Sequence, residues 1–227
     1  MNETIIAVGN GGYNLAQDII KAGIFPDAQL IVCDTDSQTL EKNSENAVES
    51  FLLDKIRGKV KSYDTVTVED IVDKTADTVI ICVTLGGMAG TKYAPLIALN
   101  ARMKGKFVCS LFSMPYEFEG EMKGKRAMNA RMQLIVSSNL CIQQNNERLK
   151  EVGSLGLNDM NKPLVDSLSS ALRDKSLEEL PVMVGTSIQE YTPKEYRVED
   201  TPLIWWLRNN AYLSVLDNER KELFDRY

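Results

Sequence analysis

Short apolar runs recur along the chain, and most are followed by a stretch whose hydrophobic spacing is helical. Thr4-Ile5-Ile6-Ala7-Val8 reads as a buried first strand, with residues 9–12 as the turn after it. Leu15, Ile19 and Ile20 then share one face of a helix running to about Ala22. Leu30-Ile31-Val32-Cys33 is a second strand, and Thr65-Val66-Thr67-Val68 a short third ahead of a helix opening on Glu69-Asp70. Residues 78–83, 106–111 and 139–142 complete the series. Strands that are apolar throughout and separated by helices predict an α/β fold. Its mostly parallel sheet would carry helices on both faces, joined by right-handed crossovers.

The last third departs from this pattern. Lys162-Pro163-Leu164-Val165-Asp166 opens a helix that reaches about Leu172, and after Arg173-Asp174-Lys175 the alternation stops. Segments containing Pro181, Pro193 and Pro202 lead to Leu203-Ile204-Trp205-Trp206-Leu207 and a charged helical end at 217–227. Residues 1–174 therefore read as one domain and 175–227 as a short helical C-terminal appendage, too small for a second α/β domain. Trp205 and Trp206 either pack that appendage against the domain or offer an anchor for a protein partner or for self-association.

Composition narrows the chemistry. The 227 residues include no histidine, which excludes Ser-His-Asp and Cys-His catalysis and every metal site built on imidazole. No metal site is expected from the protein's own side chains. A net charge of −6 without a long basic run argues against nucleic-acid binding. Cys33, Cys82, Cys109 and Cys141 lie in or beside apolar strand-like runs, with no Cys-x-x-Cys spacing, so reduced buried thiols are expected. No apolar stretch approaches the roughly 20 residues of a membrane span. Met1-Asn2-Glu3-Thr4 lacks the order of a signal peptide, so the expected location is cytoplasmic.

Ligands in an open parallel sheet bind at the C-terminal ends of strands. Three such ends are unusual here. Gly9-Asn10-Gly11-Gly12-Tyr13-Asn14 is either a tight turn or a loop that lets backbone N–H groups approach a phosphate. Thr84-Leu85-Gly86-Gly87-Met88-Ala89-Gly90-Thr91 repeats the arrangement, and the two loops converge if their strands are neighbours. The third is Met114-Pro115-Tyr116-Glu117-Phe118-Glu119-Gly120.

Taken in order, these motifs resemble the N-terminal GTPase domain of the FtsZ/tubulin family. Residues 9–14 resemble its first glycine loop. Cys33-Asp34-Thr35-Asp36-Ser37-Gln38-Thr39-Leu40 is similar to the pattern Asn-Thr-Asp-Ala-Gln-Ala-Leu. Gly86-Gly87-Met88-Ala89-Gly90-Thr91-Lys92-Tyr93-Ala94-Pro95 resembles Gly-Gly-Gly-Thr-Gly-Thr-Gly-Ala-Ala-Pro. Pro115-Tyr116-Glu117-Phe118-Glu119-Gly120 resembles Pro-Phe-x-Phe-Glu-Gly, and Asn146-Glu147-Arg148-Leu149 resembles Asn-Asp-Lys/Arg-Leu. The resemblance covers roughly residues 4–170 and implies a Rossmann-like, FtsZ/tubulin-like nucleotide-binding domain at 1–174 that includes the family's central helix.

The resemblance implies a guanine-nucleotide site for GTP or GDP. Gly9, Asn10, Gly11, Gly12, Gly86, Gly87, Met88, Ala89, Gly90 and Thr91 would cradle phosphates, and Glu119 would accept from the ribose. Asn14 and Asn146 would contact the base. Asp166 would face guanine, whose N1–H and 2-amino groups a carboxylate can accept together. The plain alternative for Asp166 is an acid near a helix start. Should Mg²⁺ accompany the nucleotide, Asp36 is the acid to test. The resemblance further implies a switch or assembly role in cell division or the cytoskeleton.

The departures from the family pattern bear on activity. Met88 is expected to crowd the phosphates, Ala89 lacks a hydroxyl, and Lys92 either supplies charge or faces solvent. Lys123 stands where the family has arginine, with Arg126 as a substitute. Arg57-Gly58-Lys59 is the only remnant of a glycine-rich loop near the γ-phosphate. No Asn-x-Asp-x-x-Asp run follows the last helix; Glu178-Glu179 and Glu199-Asp200 read as solvated pairs. No catalytic residue is assigned, and hydrolysis is expected to be weak or absent. Two alternatives stay open. One is a degenerate, nucleotide-free interaction module. The other is an NAD-binding Rossmann oxidoreductase, for which Gly9, Gly11 and Asp34 fit but Asn14 replaces the third glycine.

Overall fold

Glu3–Val8 forms strand β1, and its Ile5, Ile6, Ala7 and Val8 are all buried, as expected of a strand covered on both faces. A computed structural model describes residues 3–53, 67–149, 159–172 and 183–185. In chain order, β1 is followed by α1 (Gly9–Lys21), β2 (Gln29–Asp34), α2 (Ser37–Asn43) and β3 (Glu49–Leu52). Then come α3 (Val68–Asp73), β4 (Thr78–Thr84), α4 (Met88–Met103), β5 (Phe107–Met114), a 3-10 turn (Glu117–Glu119) and α5 (Glu121–Ser137). The described chain ends with β6 (Leu140–Asn145), α6 (Asn146–Leu149), α7 (Lys162–Ala171) and β7 (Met183–Gly185).

The seven strands among the described residues all pair in parallel, in the order β3-β2-β1-β4-β5-β6-β7. The order reverses between β1 and β4, which makes their shared C-terminal end the switch point where α/β sheets bind ligands. Successive residues alternate between faces. Ile6, Val8, Ile81 and Val83 pack on one side with Ile71, Ala94, Ile97 and Leu134 from α3, α4 and α5. Ile5, Ala7, Ile80 and Cys82 pack on the other with Leu15 and Ile19 of α1 and Leu164 and Leu168 of α7. The expected doubly covered parallel sheet is what the chain forms.

Three local expectations are corrected. Residues 9–12 are not a turn after β1, because α1 begins at Gly9 itself. The third strand is Glu49–Leu52 rather than residues 65–68. Of the latter, Thr67 is the N-cap of α3, its hydroxyl accepting from the Asp70 N–H at 3.2 Å while Asp70 accepts from the Thr67 N–H at 2.7 Å. Thr65 and Val66 lie outside the described residues. Finally, Met183–Gly185 continues the alternation by one more parallel strand, beyond the point where the sequence pattern stopped.

All four cysteines are free thiols and buried. Burial, with Asp34 adding to it at Cys33, pushes the Cys33 and Cys82 thiols far above the ordinary range, and burial pushes Cys141 up to about 12. Thiolate is the reactive form. A colorimetric thiol assay on the native protein should therefore count almost none, rising to four in denaturant. Rapid labelling of a native thiol would contradict the packing of these strands.

Candidate functional site

The two glycine loops meet because β1 and β4 are neighbours, with Val8 opposite Val83 at their ends. Close packing needs small residues there. A Cβ on Gly12 would sit 2.2 Å from the Cys82 carbonyl oxygen, and one on Gly90 2.4 Å from Val83 Cγ2 and 3.4 Å from the Val8 carbonyl oxygen. A Cβ on Gly11 would meet Thr84 Oγ1 at 2.3 Å. Gly9 (φ 76°) and Gly86 (φ 98°) instead adopt the left-handed conformation that favours glycine. Gly9 lies close to the second loop: a Cβ there would be 3.7 Å from Ala89 Cβ and from the Gly90 nitrogen.

The starts of α1 and α4 share a second property. Neither has a side-chain cap, and neither has an acid in its first turn, whereas α2 and α3 are capped by Asp36 and Thr67. First-turn N–H groups without a cap carry partial positive charge and take anions well. Two such helix starts lie side by side at the switch point. Met88 is 74% exposed. The Gly86 N–H is held by Thr91 Oγ1 at 2.7 Å, and Lys92 is exposed, its ammonium 4.9 Å from the Tyr93 ring centre.

Glu119 sits on the 3-10 turn beside these loops. Its Oε1 accepts from the Tyr116 N–H at 2.8 Å, and its Oε2 pairs with Lys123, whose stem covers Gly86. Burial opposes ionisation of Glu119, but the Lys123 ammonium and the Tyr116 N–H outweigh it and hold its carboxyl below the ordinary range. A depressed folded value stabilises above the unfolded value of about 4.3 and is lost as pH falls through the folded value. Lys123→Met should therefore raise the Glu119 titration midpoint, followed by carboxyl NMR. An unmoved midpoint would remove the ion pair from the site.

The remaining site residues fall into three groups. Asn10 is exposed and its Oδ1 accepts from Asn43 Nδ2 at 3.2 Å. Asp36 Oδ1 accepts from the Thr39 N–H at 2.9 Å, which makes it the cap of α2. On the β6 side, Asn146 is buried and its Oδ1 accepts from Gln144 Nε2 at 3.1 Å. The same Gln144 nitrogen donates to the Met160 carbonyl at 2.8 Å. Asn161 Nδ2 donates to Asp18 Oδ2 at 2.8 Å, tying the residues before α7 to α1, on which Asn14 is exposed.

Asp166 is exposed on α7, five residues beyond Asn161. Both α1 and α7 run antiparallel to the strands, hence parallel to each other. Asp159, next to the Met160 that Gln144 holds, is also exposed. Sequence reasoning missed Asp159, Asn43 and Gln144. A signal existed for the last: Gln143-Gln144-Asn145-Asn146 is a run of amides ending an apolar strand. Arg57-Gly58-Lys59, Trp205 and Trp206 lie outside the described residues.

The sequence model of the Tubulin/FtsZ family GTPase domain matches residues 3–154, which include both glycine loops, Glu119 and Asn146. The chain belongs to the Tubulin/FtsZ family. Cell division protein FtsZ of Mycoplasmopsis pulmonis is 31% identical over 169 residues, covering 70% of this chain and 43% of the relative. Among solved structures, a mutant of FtsZ from M. jannaschii superposes with a TM-score of 0.60 at 21% identity, over 78% of this chain and 58% of that one. The GTPγS-bound protofilament of CetZ2 from Haloferax volcanii gives a TM-score of 0.56 at 19% identity, over 75% and 57%. These structural likenesses concern the Rossmann-like Tubulin/FtsZ fold. The chain spans less than half the length of the curated FtsZ relatives it matches. Among the described residues no helix is long and apolar enough to cross a membrane.

Proposed function

We propose that this chain binds GTP or GDP at the switch point, with the role of a cytoskeletal or cell-division protein of the Tubulin/FtsZ family. The observation that carries the reading is the pair of uncapped helix starts, α1 and α4, held side by side by glycines that admit no side chain. Anionic oxygens supply the acceptors those N–H groups lack. Glu119, fixed by Tyr116 and Lys123, is supported as the ribose acceptor because each carboxylate oxygen keeps capacity for a second donor. Asn14 and Asn146 take the base. For the acid that reads guanine, Asp159 is favoured by its place beside Met160, which Gln144 holds, and Asp166 is the alternative.

No group of three or more acidic or thiol ligands occurs among the described residues. A magnesium ion would therefore be held mainly by phosphate oxygens and water, as that ion commonly is, with Asp36 the candidate side chain. Asp34 fits a dinucleotide role poorly, because its Oδ1 accepts from the N–H groups of Thr35 and Asp36 at 2.6 and 3.0 Å. Hydrolysis is slow in this reading, since no Asn-x-Asp-x-x-Asp run follows α7 in the sequence to position water. Self-association is proposed by likeness to the CetZ2 protofilament.

A thermal-shift series with GTP, GDP, ATP and NAD, each with and without Mg²⁺, tests the binding, and phosphate release tests turnover. Ligands that bind only the folded state raise the melting temperature. Stabilisation by GTP and GDP alone is expected. Stabilisation by NAD, or by none of the four, would replace this reading with the dinucleotide enzyme or with the nucleotide-free module.

A further inference from the structure

We propose that Gln144 is a positioning residue that sets the donor–acceptor polarity of the base site, and thereby selects guanine. The inference rests on the guanine-nucleotide reading above and adds to it how the selection is made. An asparagine amide presents an acceptor on one side and two donors on the other, so its meaning to a ligand depends on which way it faces.

Three groups fix that direction in sequence. The Met160 carbonyl can only accept, so Gln144 must turn its Nε2 toward it, at 2.8 Å. The same nitrogen then faces Asn146, which must answer with its oxygen, at 3.1 Å. Reversing Gln144 would set two oxygens against each other at Met160. The orientation is held although it leaves Gln144 Oε1 buried without a partner. Gln144 is 1% exposed and Asn146 5%, so water does not offer an easy alternative.

With its oxygen turned back to Gln144, Asn146 has its two N–H donors for the ligand. Guanine presents acceptors at O6 and N7, whereas adenine carries a donating amino group at the position of O6. A fixed donor therefore matches guanine and opposes adenine. Because Met160 is adjacent to Asp159, the same Gln144 contact holds the β6 end and the residues before α7 together. It brings a donor and an acid to one base edge that needs both.

The test is calorimetric titration of the full chain with GDP and ADP, for the unsubstituted protein, Gln144→Met and Gln144→Glu. Glutamate offers only acceptors to Asn146, so that amide reverses and the GDP-over-ADP preference should fall roughly tenfold to a hundredfold, the range for an unsatisfied buried hydrogen bond. Methionine frees the amide without adding charge, and the preference should fall several-fold with the melting temperature nearly kept. The ratio is the informative quantity, because a merely structural role lowers both affinities together. If Gln144→Glu fails to fold, Gln144→Met decides. An unchanged ratio in a folded variant overturns the role of Gln144 while leaving the guanine site standing. Absence of GDP binding by the unsubstituted chain overturns both.

Discussion

Replacing Gly12 by alanine is expected to lower the melting temperature by about 10 °C, more than any other single methyl group added to the two loops. The new Cβ would lie 2.2 Å from the Cys82 carbonyl oxygen, 3.0 Å from its carbon and 3.3 Å from Val83 Cα. Those are backbone atoms of a central buried strand, so nothing can rotate away and either α1 or β4 must move. Overpacking of this kind costs ~3 kcal/mol, and a domain of this size loses ~2–4 °C for each. At Gly11 the obstacle is Thr84, whose hydroxyl at 2.3 Å can turn but whose Cβ at 2.6 Å cannot; Thr84 ends β4 and is only half-buried, so Gly11→Ala should still destabilise, though less than Gly12→Ala. Gly87→Ala is the control: nothing lies within 4 Å and its φ of −75° suits any residue. A Gly12→Ala protein that melts within 2 °C of the original would mean that α1 does not rest on β4 as closely as described. The starts of α1 and α4 would then no longer be forced together.

That result bears on what the glycines are for. Read in sequence, they suggested backbone approach to phosphate. In the fold, Gly11, Gly12 and Gly90 are first required by helix–strand packing, and the phosphate-compatible geometry is its consequence. The sequence pattern carried the central strands well, since residues 5–8, 30–33 and 79–83 are apolar at every step, as burial on two faces demands. It missed β3 because that edge strand buries only Phe51, leaving Glu49, Ser50 and Leu52 outside the core. The β-branched run at 65–68 drew the assignment instead, although Thr67 was better suited to cap a helix. The two loops and Glu119 were legible because the chemistry lies in contiguous motifs. Asn43 and Gln144 were not, because their work depends on contacts 33 and 16 residues away, with Asn10 and Met160.

The distinction between the two acids leads to the largest expected change in binding. Asp159→Asn should move nucleotide preference from guanine toward xanthine by tenfold to a hundredfold, on the order of one well-placed pair of hydrogen bonds. A carboxylate accepts from both N1–H and the 2-amino group of guanine. Asparagine accepts from one and opposes the other, but it matches xanthine, which has a carbonyl in place of that amino group. Loss of GDP binding alone is open to a structural explanation; gain of XDP binding is not. Asp166→Asn is the parallel variant, its residue exposed on α7 five positions beyond Asn161. Competition titrations with GDP and XDP on both variants separate the cases. A switch in Asp166→Asn with none in Asp159→Asn would place the base contact on α7. A switch in neither would leave the Gln144-fixed donor of Asn146 as the source of any guanine preference, readable then at O6 and N7 rather than at N1 and the 2-amino group.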